Sequence, residues 1–159
     1  MREAPKNRIA KDALKAWKLT AIIVMSVFWA LTIGGFVLVY FMDWSYWVIS
    51  FIAAGVAILT YVTVFLIPKI RWRRWRYEVF DQEIYIQHGI LIVSRVLVPM
   101  IRVQHVDTKQ GPILKKYRLA SLTISTAATT HEIPALPEAE AEELRDQISV
   151  LARVDEDDV

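Results

Sequence analysis

The chain has 159 residues, a net charge of +2 and no cysteine. That length holds one small domain beside a hydrophobic segment. The lack of cysteine excludes disulfides, thiolate metal sites and an acylated thiol as a membrane tether. A hydrophobic content of 55% with six tryptophans suits a membrane protein better than a water-soluble globule.

Residues 1–18 carry six basic and two acidic side chains and read as a basic N-terminal segment. From Leu19 to Ile67 the sole charged residue is Asp43. Two apolar runs fill this stretch, 19–42 and 46–67, of 24 and 22 residues. As helices they would be about 36 and 33 Å long, enough to cross a hydrocarbon layer of about 30 Å with modest tilt. Thirteen Leu, Ile, Val and Phe side chains in the first run favour insertion, by roughly 4–8 kcal/mol on an insertion scale. A cleavable signal sequence does not fit, because the apolar run is too long and no small-residue cleavage site follows it. Asp43, Trp44 and Ser45 are expected to turn the chain, and Pro68 to end the second helix.

Residues 68–76 form a basic linker containing Lys69, Arg71, Arg73, Arg74 and Arg76, interleaved with Trp72 and Trp75. Basic residues flank both runs and the connecting turn has none, so positive-inside logic puts both termini in the cytoplasm of a plasma-membrane protein. Tyr40, Trp44, Tyr46 and Trp47 read as an outer aromatic belt. Trp17, Trp72 and Trp75 read as an inner one. The small residues Gly34, Gly35, Ala54 and Gly55 fall at similar depth in an antiparallel hairpin, where they would let the backbones approach closely.

Residues 77–153 change character. Strands are expected near Trp75–Phe80, at Glu83–His88 after the Asp81-Gln82 turn, from Ile90 to Pro99 after Gly89, at Val103–Thr108, and at His131–Leu136. Around residues 119–125, Ala120, Leu122 and Ile124 alternate with Ser121, Thr123 and Ser125, the period of a half-buried strand. Pro137 suits the first position of a helix. Glu138, Glu140, Glu142 and Glu143 suit its positive end. Ala141, Leu144, Ile148 and Leu151 give it one apolar face. Residues 154–159 form an acidic tail, expected to be disordered. The expected architecture is a membrane helical hairpin followed by a mainly-β barrel or sandwich with one C-terminal helix.

Several segments carry a resemblance to a known family. They are Tyr77-Glu78-Val79, Ile84-Tyr85-Ile86 with Gly89, and Val98-Pro99 with Ile101-Arg102-Val103-Gln104-His105-Val106. Gln110-Gly111-Pro112, Leu119-Ala120-Ser121-Leu122, Ser125-Thr126-Ala127 and Ile133-Pro134-Ala135-Leu136 continue it. The chain resembles the bacterial pleckstrin-homology-like (PH-like) domain of membrane proteins of the YdbS type, over about Trp75–Leu151. Arg118 departs from the pattern, standing where relatives commonly carry glycine. The resemblance implies an interaction module without a catalytic centre. It also implies a larger membrane partner with several PH-like copies, and a link to cell-envelope stress and antimicrobial-peptide tolerance.

Candidate chemistry is sparse. His88, His105 and His131 lack the spacing of a metal site, and neither a metal nor a cofactor is expected. There is no nucleophile elbow, phosphate-binding glycine loop or His-Glu-x-x-His sequence. His105 and Asp107 share a strand face and suit a surface ion contact. The polar residues 125–131 read as a turn. Anionic lipid is the expected contact of the 68–76 cluster. A second basic patch, Lys115, Lys116 and Arg118, suits lipid headgroups or an acidic partner surface. Nucleic acid is not an expected partner, because the first cluster lies against the membrane. The preferred reading is a non-enzymatic membrane adaptor, with a sensor of anionic headgroups as the alternative. A transporter subunit has little support, since the turn's Asp43 is the one charged residue between Leu19 and Ile67. A homo-oligomer stays open.

Overall fold

The computed structural model describes residues 3–43 and 45–157, with side chains as far as Arg153. The chain forms two compact units. One is Trp17–Lys69; the other joins Met1–Ala16 to Ile70–Val159.

The first unit is a helical hairpin. Helix α1 spans Ala13–Phe41 and α2 spans Tyr46–Tyr61. Asp43 takes a left-handed φ of 52° in the turn, a conformation aspartate tolerates better than most residues. Trp44, expected in this turn and in the outer belt, lies outside the described residues. The second helix does not stop at Pro68. A π-helical turn at Val62–Leu66 leads into α3, Ile67–Arg74, as one continuous helix from Tyr46. Within an α-helix, Pro68 would strike the carbonyl four residues back and leave it without a donor. The wide turn just ahead of it, in which the Ile67 N–H reaches the Val62 carbonyl, absorbs that mismatch.

Small residues do not hold the hairpin together as expected. Gly34, Ala54 and Gly55 face outward, and no atom stands within 4 Å of where a side chain would begin at either glycine. Gly35 does face a neighbour: a methyl there would stand 2.8 Å from Ile49 Cδ1. A hydrogen bond from Trp29 Nε1 to Thr60 Oγ1 at 3.1 Å crosses between the helices.

The second unit is the β module. A four-stranded antiparallel sheet runs β1 (Asn7–Arg8), β2 (Arg76–Val79), β3 (Glu83–His88) and β4 (Ser94–Pro99). A three-stranded sheet follows as β5 (Val103–Lys109), β6 (Leu119–Thr126) and β7 (Thr130–Pro137). A short helix α4, Pro112–Lys116, joins β5 to β6, and α5, Glu138–Asp157, closes the module. The core gathers Tyr77, Ile84, Ile86, Met100, Leu122, Ile124, Ile133, Leu136 and Ile148, each at most 2% exposed. Ala141 and Ile148 on α5 are fully buried, as the helix stripe requires.

Four readings of this region need correction. Residues 90–93 are not strand but an exposed loop, because Gly89 turns the chain at φ 135°. Strand β6 is buried on both faces, with Ser121 and Thr123 each 5% exposed, because it is the middle strand and both α4 and α5 contact it. Pro137 ends β7 and stands just before α5 rather than inside it. Helix α5 runs on through Asp157, so the backbone at 154–157 is helical rather than disordered; Asp158 and Val159 lie outside the described residues.

The N-terminal segment is the largest departure. It is a piece of the module. Asn7 pairs with Tyr77 and Arg8 with Arg76. Pro5 and Ile9 are buried, and the Ala10 N–H bonds the Ala135 carbonyl at 3.2 Å. The chain therefore starts in the β module, leaves it for the helical hairpin, and returns to complete the same sheet.

Candidate functional site

The two sheets are joined on one side by the Ala10–Ala135 bond but not on the other. Between β4 and β5 runs one 3₁₀ turn, Met100–Arg102, with no ladder linking the two strands. Here opens a groove of about 1000 Å³, bounded by β4, β5, the β6–β7 turn and α5. Leu97 and Ile101 are 46% and 55% exposed in its wall, beside Arg102, His105, His131 and Arg153.

Its polar groups are largely engaged with one another. His105 Nε2 meets Asp107 Oδ1 at 2.9 Å, the surface pairing expected from their spacing. Thr126 Oγ1 donates to the Thr129 carbonyl at 2.8 Å and closes the turn. His131 Nε2 lies 3.0 Å from Thr129 Oγ1. Arg145 is held by Asp146 through two bonds of 2.9 and 2.8 Å. The groove offers an unpaired strand edge, two apolar side chains and exposed guanidinium groups at Arg102 and Arg153. That suits an extended peptide with acidic positions better than a reacting small molecule. Among the described residues no cluster of three His, Asp or Glu could hold a metal ion.

The basic linker divides by role. Lys69 and Arg73 are exposed. Trp72 donates to the Ala10 carbonyl at 3.0 Å, with the Arg8 guanidinium 5.8 Å from its ring centre. Trp75 is 7% exposed and stacks on His88 at 5.4 Å. Both rings thus fasten the module instead of forming an inner lipid belt. Arg74 donates to the Leu91 carbonyl at 3.0 Å, Arg76 to the Pro5 carbonyl at 3.4 Å, and Arg71 is half-buried with Glu132 as its acidic neighbour. In the second patch, Lys115 and Lys116 are exposed on α4, and Arg118 is exposed at a left-handed φ of 52°. That is the backbone for which glycine is best suited.

The residues missed by sequence reasoning are Pro5, Asn7, Arg8 and Ile9. A two-residue strand has no period to detect. Its one signal was Ile9, a lone apolar side chain among charges.

The sequence pattern of the bacterial PH domain matches residues 13–152. The chain belongs to this bacterial PH domain family. It is 56% identical, over the full length of both chains, to the UPF0699 transmembrane protein YdbS of Bacillus subtilis (strain 168). It is also 29% identical over 101 residues to the UPF0699 transmembrane protein YdbT of the same organism, covering 61% of this chain and 20% of YdbT. No solved structure matches. The match to this family covers strands β2–β7 of the β module, and the transmembrane relatives agree with the apolar hairpin. The protein is thus a membrane-associated PH-domain protein. The family match starts at Ala13, beyond the β1 strand that the PH module also uses.

Proposed function

We propose that the protein is a non-enzymatic, membrane-anchored adaptor. Its PH-like module binds a segment of a second, larger membrane protein with several PH-like domains. The observation that carries this reading is the unpaired β4–β5 opening, where a partner strand can add its backbone bonds beside Leu97 and Ile101. The similarity to part of a far longer transmembrane protein supports the choice of partner, since related modules commonly share interaction edges. In the proposed topology the hairpin crosses the plasma membrane twice and both flanks lie in the cytoplasm. Pairing of Arg8 with Arg76 supports this, because no bilayer fits between hydrogen-bonded strands. The excess of lysine and arginine at these flanks supports the cytoplasmic side. Lys69 and Arg73 then meet anionic lipid, each worth about 1 kcal/mol near a charged surface. The setting proposed is the envelope-stress response that the family resemblance implies.

A photo-reactive amino acid at Ile101, irradiated in native membranes, tests the adaptor role. The expected result is one cross-linked membrane partner, lost when Leu97 is changed to Asp. Recovery of the uncross-linked monomer alone would overturn it.

A further inference from the structure

We propose that the loop Gly89–Val93 is a third membrane contact, whose apolar tip enters the lipid interface of the bilayer spanned by the hairpin. This rests on reading the hairpin as membrane-spanning. Ile90, Leu91, Ile92 and Val93 are 37%, 90%, 82% and 41% exposed. Among the described residues outside the hairpin, no other run of consecutive large apolar side chains is exposed. Left in water, such a tip is an aggregation liability with no compensating contact.

The tip is built. At Gly89 an added Cβ would stand 1.8 Å from the Ile92 carbonyl oxygen, so the turn admits glycine and little else. Arg74 fixes the Leu91 carbonyl from one side, and the Trp75–His88 stack fixes the base of β3. The loop is thereby tied to the residue at which the second spanning helix ends.

Strand register gives the direction. Arg8, Arg76, Gln87 and Arg95 form one row across the four-stranded sheet. Beyond that row, β1 and β2 continue into the hairpin, and β3 and β4 continue into the loop. The loop and the segments 9–16 and 70–75, which lead to and from the hairpin, therefore leave the sheet from the same edge. The opposite edge carries the Asp81-Gln82-Glu83 turn, whose carboxylates would repel lipid phosphates. The edge that carries the loop also carries Arg73, Arg74 and Arg95, which attract them. Four side chains are too few for a protein interface, which needs about 800 Å² from each partner. They are enough for a shallow lipid contact beside an existing anchor.

The chain has no native cysteine, so single-site labelling is direct. Full-length protein carrying Leu91→Cys is labelled with an environment-sensitive fluorophore and reconstituted in vesicles of phosphatidylglycerol and phosphatidylethanolamine. The expected result is blue-shifted emission, quenching by lipid-borne nitroxide and loss of quenching by aqueous iodide. Ala128→Cys, on the exposed β6–β7 turn, should respond to iodide alone, and Leu38→Cys, in the first span, to lipid nitroxide alone. Adding Leu91→Asp and Ile92→Asp should abolish the lipid quenching of a label at Val93→Cys, which controls for a fluorophore that drags the tip into lipid. If label 91 behaves like label 128 while label 38 is quenched by lipid, the loop contact is refuted and the hairpin reading stands. Protection of label 91 from both quenchers means a protein covers the tip, and also refutes it. If label 38 escapes lipid quenching, the spanning reading fails and the loop contact falls with it.

Discussion

Removing the residues that precede the hairpin should unfold the β module, although they lie some sixty residues from the rest of it in sequence. Ile9 is 2% exposed and Pro5 is fully buried. At about 0.8 kcal/mol per buried methylene, the two side chains contribute roughly 5 kcal/mol at most. Asn7 and Arg8 add their ladder bonds to β2, the Ala10 N–H adds one to Ala135, and Trp72 Nε1 loses its acceptor if Ala10 is gone. A domain of this size is stable by about 5–15 kcal/mol, so the loss is comparable to the total. Two hairpin-free chains separate the cases. One is residues 71–157 alone; the other is residues 3–10 joined to 71–157 by a short Gly/Ser linker, a span that the Trp72–Ala10 bond keeps small. Urea unfolding followed by near-ultraviolet dichroism should give a cooperative transition for the joined chain and none for the bare one. Equal midpoints would refute the claim that the N-terminal strand is part of the fold.

Other outcomes follow from single contacts. Tyr77 donates to Glu140, and burial, then that carboxylate, push its ionisation above the usual tyrosine range. The folded protein keeps a proton that the unfolded chain releases above about pH 10, so stability should fall as pH rises beyond that point. Tyr77→Phe should cost about 1–2 kcal/mol at neutral pH and flatten the alkaline decline, read by denaturant titration across pH 8–11. Arg118→Gly should stabilise the module by roughly 0.5–1 kcal/mol, since φ 52° favours glycine, and an unchanged or lower midpoint would contradict it. In detergent, Trp29→Phe should loosen the hairpin by about 0.6 kcal/mol through loss of the Thr60 bond. Gly34→Leu with Gly55→Leu should leave the melting temperature unchanged, whereas Gly35→Leu should lower it through its clash with Ile49.

What the sequence made legible follows from how each signal arises. The hairpin was plain because 49 residues with one charge have no water-soluble counterpart. Strand β3 was found to the residue because Asp81-Gln82 and Gly89 bracket it. The run Ile90–Val93 was misread because β-branched residues suit a strand wherever the backbone allows, and here Gly89 turns the backbone away first. Pro68 was misread as a stop because a π turn is invisible in composition. The alternation at 119–125 found β6, but a serine and a threonine look alike whether they meet water or lie beneath a helix. Of the site residues, Lys115 and Lys116 are exposed, while Trp72 and Trp75 serve the fold. The β4–β5 groove was out of reach, since it arises from where two sheets fail to join.

The placement of the hairpin between β1 and β2 also orders events during synthesis. Asn7 and Arg8 are made before the hairpin and must wait for Arg76 and Tyr77 before they have a strand to join. Until they pair, β2 has no β1 beside it, and the four-stranded sheet keeps a bare edge. Closure of the β module therefore waits on completion of the hairpin and the return of the chain.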